Sequence, residues 1–388
     1  LRCAAALSTA ASTDEAIDEV VATLGAQCTS PIDLAFVFAS TQLAPGLAAK
    51  LSNRLETANL VGCAGEAIVG SGREIEGEPA LAVWVASLPG AIVEPTRLEF
   101  VRSSEGGSFA GWPDGFDDDW PDDSSLLVLA DPFSFPADAL VERLNEDRPG
   151  LLVAGGMASG GYQPGQNRLW LGGREWNDGA VAVRVHGAAR MRSVVSQGCR
   201  PIGRPLVVTR AERNTIFELS GKPALSQFSE VFNNLPEEDQ QLVRSGLHLG
   251  RVVNEYQDKF ARGDFLVRNV TGADRESGAI VLGDYARVGQ TVQFHVRDAK
   301  SADEDLRELL TAAKSPSGDR PAGALVFTCN GRGTRLFESP HHDAAALEAA
   351  WPGLPVAGFF AQGEIGPVGG HSFLHGFTAS IVLVESVE

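Results

Sequence analysis

GALVFTCNGRG (323–333), SPHHDAAALEAAW (339–351), LPVAGFFAQGEIGPVGG (354–370) and HSFLHGFTASIVLVESV (371–387) follow one another near the end of the chain, and their order decides the fold. Short runs of Val, Leu, Phe and Ile bounded by glycine predict a buried strand, then a loop holding Cys329 and Arg332. A helix comes next, with Ser339 as N-cap and Pro340 at its first position. A second buried strand, a glycine-rich loop around Glu364 and a closing strand complete the pattern. Two glycine loops thus stand at strand ends, where backbone N–H groups unobstructed by side chains converge on an anion. A small-molecule site is expected there.

The same order occurs near the start of the chain. Ser12 and Glu15 have capping-box spacing, Ile17, Val20, Val21 and Leu24 form one face of a helix, and DLAFVFAS is a buried strand ending at Ser40. Pro45 opens a second helix, and NLVGCAGE, a glycine-rich turn and ALAVWVASL follow. The offset between matched positions grows slowly, from 289 (Ser12 to Ser301) through 290 (Ser40 to Asn330), 295 (Pro45 to Pro340) and 296 (Gly62 to Gly358) to 298 (Glu66 to Glu364). The step from 290 to 295 places an insertion at GRGTR, where the second copy gains chemistry of its own. A third, partial copy lies between them: a strand ending at Asp131, a helix opened by Pro136, then Gly155 and GAVAVRVHG. Residues 206–300 match less well and read as a decayed fourth unit or an insertion, with a helix in SGKPALSQFSEVF and strands in FLVRNV, GAIVLGD and TVQFHVRDA. The expected fold is α/β, two related halves of repeated strand-helix-strand-strand units with mixed sheets, divided as 12–205 and 206–388.

The 388 residues suit about two domains of roughly 150 residues. Lys plus Arg number 32 against 50 Asp plus Glu, a net charge of -18, which opposes the counterion release that nucleic-acid binding relies on. Neither nucleic acid nor an anionic membrane is an expected partner. ALAVWVASLPGAIV (80–93) is interrupted by Pro89 and Gly90 and falls short of the roughly 20 residues of a spanning helix. LRCAAALSTAAST lacks signal-peptide organisation, and the five cysteines (Cys3, Cys28, Cys63, Cys199, Cys329) are scattered without CxxC spacing. A reducing, cytoplasmic setting is expected. PDGFDDDWPDDSS departs from EF-hand order and reads as a solvated loop.

FTCNGRG with its proline-led helix, GFFAQGEIGPVGG and FLHGFTASIVLV together resemble the C-terminal part of the FIST family, the F-box and intracellular signal transduction proteins. GCAGE with the strand and helix before it resembles the family's N-terminal part, so the likeness spans most of residues 34–388. The resemblance implies a sensory, ligand-binding domain pair, with amino acids among the proposed ligands, and favours binding over turnover. Neither an F-box nor a kinase, cyclase or methyl-accepting segment is recognisable, so the chain is expected to act alone or through a separate signalling partner.

The candidate site comprises Cys329, Asn330, Gly331, Arg332 and Gly333 on one side and Gly363, Glu364, Gly366 and His371 on the other, with Cys63 and Glu66 as counterparts in the first copy. Arg332 offers a two-pronged partner for a carboxylate or phosphate, against the plain alternative of an exposed loop arginine. Glu364 suits a ligand ammonium group, or else accepts loop N–H bonds and shapes its turn. Together they would read a zwitterion. Cys329 is either inert packing or a thiol activated by Arg332. His371 and His375 have i, i+4 spacing, but on a strand they stand about 13 Å apart, too far for one metal ion. His341 and His342 fall in the first turn of a helix and are expected to be neutral. A Cys329–histidine–Asp343 hydrolase is conceivable, though no spacing enforces it. Dinucleotide, P-loop and nucleophile-elbow signatures are absent: GRG lacks a third glycine, with Leu336 in its place, and GGMASGG (155–161) lacks a lysine. The expectation is a sensor of a small anionic or zwitterionic metabolite, without metal or cofactor. A cysteine-dependent enzyme and a protein-interaction scaffold are the alternatives.

Overall fold

In a computed structural model, residues 1–43, 46–104, 106–113, 120–257, 259–315 and 318–387 are described. Pro45 and part of the aspartate-rich stretch lie outside the described residues. The chain divides into two compact units: the first comprises 1–195, 306–374 and 378–388, the second 196–305 and 375–377.

The first unit is built three times over. Each copy contains a parallel strand pair joined through a helix: Leu34–Ser40 with Leu60–Gly65 through Leu47–Leu55, Ser125–Ala130 with Leu152–Met157 through Ala137–Asp147, and Gly323–Cys329 with Val356–Ala361 through His342–Ala350. On the other side of each first strand runs an antiparallel return strand, Leu81–Ser87, Ala180–Gly187 or Thr378–Ser386. A leading strand, Arg2–Ser8, Ala91–Ser103 or Ala189–Gln197, neighbours each return strand. The related halves and mixed sheets read from the repeat are therefore present, and the middle copy completes a set of three.

Strand alternation explains why these segments are apolar throughout. Phe36, Phe38, Leu127, Leu129, Leu325 and Phe327 point into one core shared by all three sheets, where Phe38 packs on Phe327 and Phe359 with ring centroids 6.2 and 5.2 Å away. Their sequence neighbours, Val37, Val128 and Val326, point outward under the helices of their own copies. A strand buried on both faces carries no polar alternation, so only its length and its boundary residues mark it.

Glycine-rich stretches expected as loops are hairpins. Ala67–Gly70 and Arg73–Glu76 pair across Ser71 and Gly72, both with positive φ, the geometry of a tight two-residue turn. Glu364 begins a strand, Glu364–Val368, instead of lying in a loop. Each hairpin is hosted by a different copy. Ala67–Gly70 pairs with Val356–Ala361, Glu364–Val368 with Leu152–Met157, and Leu169–Leu171 with Leu60–Gly65. The exchange runs from the first copy to the last, from the last to the middle, and from the middle to the first.

Three capping expectations are corrected. Ser12 occupies the N-cap of helix Thr13–Gln27 but its side chain makes no cap bond. Ser301 lies inside helix Ala299–Ala312, where Asp298 accepts from the Lys300 N–H and the Ser301 hydroxyl. The helix expected from Pro340 starts at His342 with His341 as N-cap in a left-handed conformation. Its cap is supplied from afar: Glu74 Oε1 accepts the N–H groups of Asp343 and Ala344 at 2.7 and 3.0 Å, and the Glu74 N–H donates to His341 Nδ1.

The second unit has its own sheet of seven strands, ordered Cys199–Glu212, Thr291–Arg297, Leu247–Val252, Phe265–Asp274, Ala279–Leu282, Thr215–Leu219 and Lys222–Pro223. Cys199–Glu212 also pairs with Thr215–Leu219, closing the ring, and the described pairings are antiparallel. Lacking a parallel pair among its described residues, this unit is an insertion between leading strand and helix of the last copy, not a fourth repeat.

Candidate functional site

Three strand ends come together where the hairpins cross between copies. Ser159 donates to the Phe360 carbonyl and accepts the Glu66 N–H, while its own N–H reaches the Ala64 carbonyl. The Met157 N–H donates to Gly363 O, and the Asn330 N–H to Ala361 O. Gly160, at φ 88, lies so close to Thr41 and Glu66 that a Cβ would be 2.7 Å from the Thr41 methyl. Carboxyl ends of parallel strands are where α/β sheets leave room for ligands. On this rim, Arg335 pairs with Glu66 and donates to the Asn330 carbonyl.

Arg332 differs from its expected role. It is 0% exposed, and its Nε and Nη2 donate to the two carboxylate oxygens of Asp343 at 2.8 and 2.7 Å. The fork expected to grip a ligand thus grips a residue eleven positions on, because an unpaired guanidinium at this depth would be prohibitively costly. Asp343 also accepts from the Thr328 hydroxyl at 2.6 Å and contacts His342 Nδ1 at 2.9 Å. Burial alone would raise the Asp343 pKa, but the Arg332 charge and these partners hold it well below the usual carboxylate range. Burial likewise works against the Arg332 charge, and Asp343 outweighs it so that the net shift is upward. With its carboxylate shared in this way, Asp343 is first of all the counterion of Arg332.

Glu364 is equally buried. Its Oε2 accepts the Thr378 N–H at 3.0 Å and hydroxyl at 2.8 Å. Burial pushes its carboxyl up to about 8, against the pull of Thr378, Arg332 and the Cys329 thiol beside it. Cys329 is half-buried at the strand end, and its sulfur accepts the Gly331 N–H at 3.4 Å. Gly333, at φ 58, turns the chain where a Cβ would meet Glu76 Oε1 and the Phe360 ring.

Three side-chain atoms of this cluster, Arg332 Nη1, Glu364 Oε1 and Asn330 Oδ1, are buried without a hydrogen-bond partner among the described residues. Buried polar atoms are nearly always satisfied, so three such atoms on neighbouring residues are unusual. The structure therefore brings Cys329, Asn330, Arg332 and Glu364 together, with Gly331, Gly333 and Gly363 shaping their backbone. Gly366 packs against Val195 and Ser380, and His371 is exposed at the start of strand His371–His375. Cys63 is wholly buried, with its thiol raised by burial. Among the described residues no three His, Cys, Asp or Glu side chains group as metal ligands, and no helix is long and apolar enough to cross a membrane. Glu74, Thr328, Thr378 and Ser159 escaped the sequence reading, though VGSGREIE (69–76) carries a hairpin signal that would have directed attention to Glu74.

These carboxyls give stability a defined pH dependence. Between its ordinary 4.5 and its native value of about 8, Glu364 holds a proton that the unfolded chain releases. Stability therefore falls as pH rises through this window, by up to about 1.4 kcal/mol per pH unit. Glu74, pushed up to about 7 by burial and the Asp343 charge, acts in the same sense. Asp343 acts oppositely, its contribution being lost as pH falls below the ordinary carboxylate value. Melting curves of wild type and Glu364→Gln should diverge between about pH 5 and 8, wild type declining more steeply. Parallel curves would show that Glu364 carries no such proton.

Residues 33–222 match the family model described as the FIST N domain, and residues 224–367 the FIST C domain. An uncharacterised protein of Mycobacterium tuberculosis is 47% identical over 343 residues, 88% of this chain and 88% of the relative. An uncharacterised protein of Mycobacterium bovis is 44% identical over 351 residues, 90% of this chain and 89% of the relative.

Proposed function

Given that the chain belongs to the FIST family, whose domains act as sensors in signal transduction, we propose that it binds a small anionic or zwitterionic metabolite, such as an amino acid, at the Asn330–Arg332–Glu364 cluster. The observation that carries this reading is the trio of orphaned polar atoms, one donor on Arg332 and two oxygens on Asn330 and Glu364. A ligand carboxylate takes the Arg332 Nη1 donor, and a ligand ammonium takes the two oxygens. Arg332 contributes one free prong, not the two-pronged grip its sequence context suggested, because Asp343 holds the other side of the guanidinium. The signal passes to a separate protein partner.

An ammonium group favours the ionised form of Glu364, so binding of a zwitterion expels a proton near neutral pH, where that carboxyl is otherwise protonated. Calorimetry with amino acids and small carboxylates, repeated in buffers of different ionisation enthalpy, tests this. The expected result is an amino acid that binds with proton release. A ligand at 100 times its Kd should stabilise the fold by about 2.7 kcal/mol. Glu364→Gln should weaken amino acids at least about tenfold while sparing simple carboxylates. Silence across the whole panel would remove the reading.

A further inference from the structure

We propose that the closed sheet of the second unit carries an acid-sensitive latch: His248 and His295 take up protons only when the sheet opens there, so mild acid favours the open form and releases Phe377, which the sheet grips. The latch needs no ligand and stands apart from the metabolite reading.

His248 and His295 are buried and face each other on the antiparallel strands Leu247–Val252 and Thr291–Arg297. They share the face of the sheet that carries Cys199, Val252, Phe265 and Val267, opposite to Leu249 and Phe294. Phe265 meets the His295 ring edge-on with centroids 4.8 Å apart, and Phe377 lies 4.5 Å from the His248 ring. The enclosure is tight, since a Cβ on Gly250 would stand 2.4 Å from His295 Cε1. Each ring keeps one nitrogen bare. His295 Nδ1 donates to the Gln293 carbonyl at 3.0 Å, so Nε2 carries no proton in the neutral ring; neither that nitrogen nor His248 Nδ1 has a partner among the described residues.

A charge on either ring would have no counterion. The groups arrayed around the pair are Arg297 on the strand of His295, Asn269 opposite His248, Cys199 opposite Arg297, and His375 beside Phe377. Carboxylates of this unit are engaged elsewhere: Asp284 with Arg268, Asp298 with Arg200 and Ser301, and Asp305 with Ser196 and the Gln197 N–H. Burial pulls His248 down to about 4, helped by the Arg297 charge and opposed by the Asn269 bond. It pulls His295 down to about 4 as well, opposed by the Gln293 carbonyl and helped by His248. Opening places both rings in water, where histidine takes a proton near 6.5. Below that pH the open form holds more protons than the closed one. Opening therefore becomes up to about tenfold more favourable per pH unit for each histidine, until the enclosed rings themselves titrate.

Phe377 is the residue this face grips. Its φ of 69 is a left-handed conformation that a bulky side chain keeps only where its surroundings impose it. The His248 ring, the Arg297 guanidinium 5.6 Å from the Phe377 centroid, and the Gly198 N–H donating to the Phe377 carbonyl at 2.8 Å impose it here. Opening of the two histidine strands removes the first two of these holds together.

Residue-resolved hydrogen exchange on the whole protein between about pH 4.5 and 6.5, above the ordinary carboxylate range, tests the latch. After correction for intrinsic exchange, opening constants for Leu247–Val252, Thr291–Arg297 and the Gly198 amide should rise about tenfold or more per pH unit of acidification. Those for Leu34–Ser40 in the first unit should stay level. His248→Gln and His295→Gln should each reduce the slope by up to about tenfold per pH unit. A flat wild-type profile, a Gly198 amide that stays protected while the strands open, or first-unit amides opening in step overturns the proposal. Should the variants fail to fold, ring resonances of the wild type decide: both histidines are expected to stay neutral in the folded protein at pH about 5.5, and titration near 6.5 overturns the latch.

Discussion

Gly358→Ala is expected to cost more than about 3 kcal/mol, enough to leave much of the protein unfolded at ordinary temperatures. Gly358 faces Val326 in the parallel pair of the last copy and Val69 of the visiting hairpin on its other side. A Cβ there would lie 2.7 Å from the Val326 carbonyl carbon and 2.9 Å from its Cα. Both are backbone atoms in the middle of a sheet, so relief requires moving a strand and not a side chain. The same register recurs in the other copies, with Gly62 against Val37 and Trp170 and Gly155 against Val128 and Ile365. A Cβ would stand 3.0 Å from the Val37 carbonyl carbon and 2.8 Å from that of Val128. Gly25, in helix Thr13–Gln27 with nothing within 4 Å of its would-be Cβ, is the control, and Ala there should stabilise by up to about 1 kcal/mol. Urea titrations compare the two, and a Gly358→Ala loss below about 1 kcal/mol would show that the strands can part there at little cost.

Removing the Asp343 charge should be comparably severe. Asp343→Ala leaves the Arg332 guanidinium buried without its counterion, a situation that costs about 3–5 kcal/mol. It also strands the Thr328 hydroxyl, which donates to the same carboxylate. Replacing the pair together, Arg332→Met with Asp343→Leu, should restore much of the loss, since apolar residues of similar volume need no counterion. Chemical denaturation of the two single variants and the double variant closes the cycle. A single-variant cost below about 1 kcal/mol would mean that water reaches the pair.

The strands of the three parallel pairs were legible because each is a short apolar run cut off by polar residues, proline or glycine, and the repeat was legible because Gly62, Gly155 and Gly358 meet the same backbone demand. The hairpins were not. Glu364 stands in a glycine-rich segment, and glycine that admits a close neighbour looks like glycine that frees a loop. Its partner Gly156 lies in the preceding copy, on the far side of the inserted second unit in the sequence. Arg332 was legible as a site residue, but its occupation by Asp343 depends on how the helix His342–Ala350 is placed, and that helix is capped by Glu74, 269 residues before Asp343. Local pattern identifies a strand or a charged side chain; it carries no information on which distant element comes to meet it.

The round of lent hairpins makes the first unit indivisible at the level of the gene. A truncation that ends before Val356 would keep Ala67–Gly70 but remove the strand it leans on, and would strip Leu152–Met157 of its guest, baring a hydrogen-bonding edge that invites self-association. Adding a further copy would give a strand pair with no hairpin to receive. Such a molecule can lengthen only between its strands, in the way residues 199–297 have been accommodated, and its evolution is confined to insertions that leave the three-way loan intact.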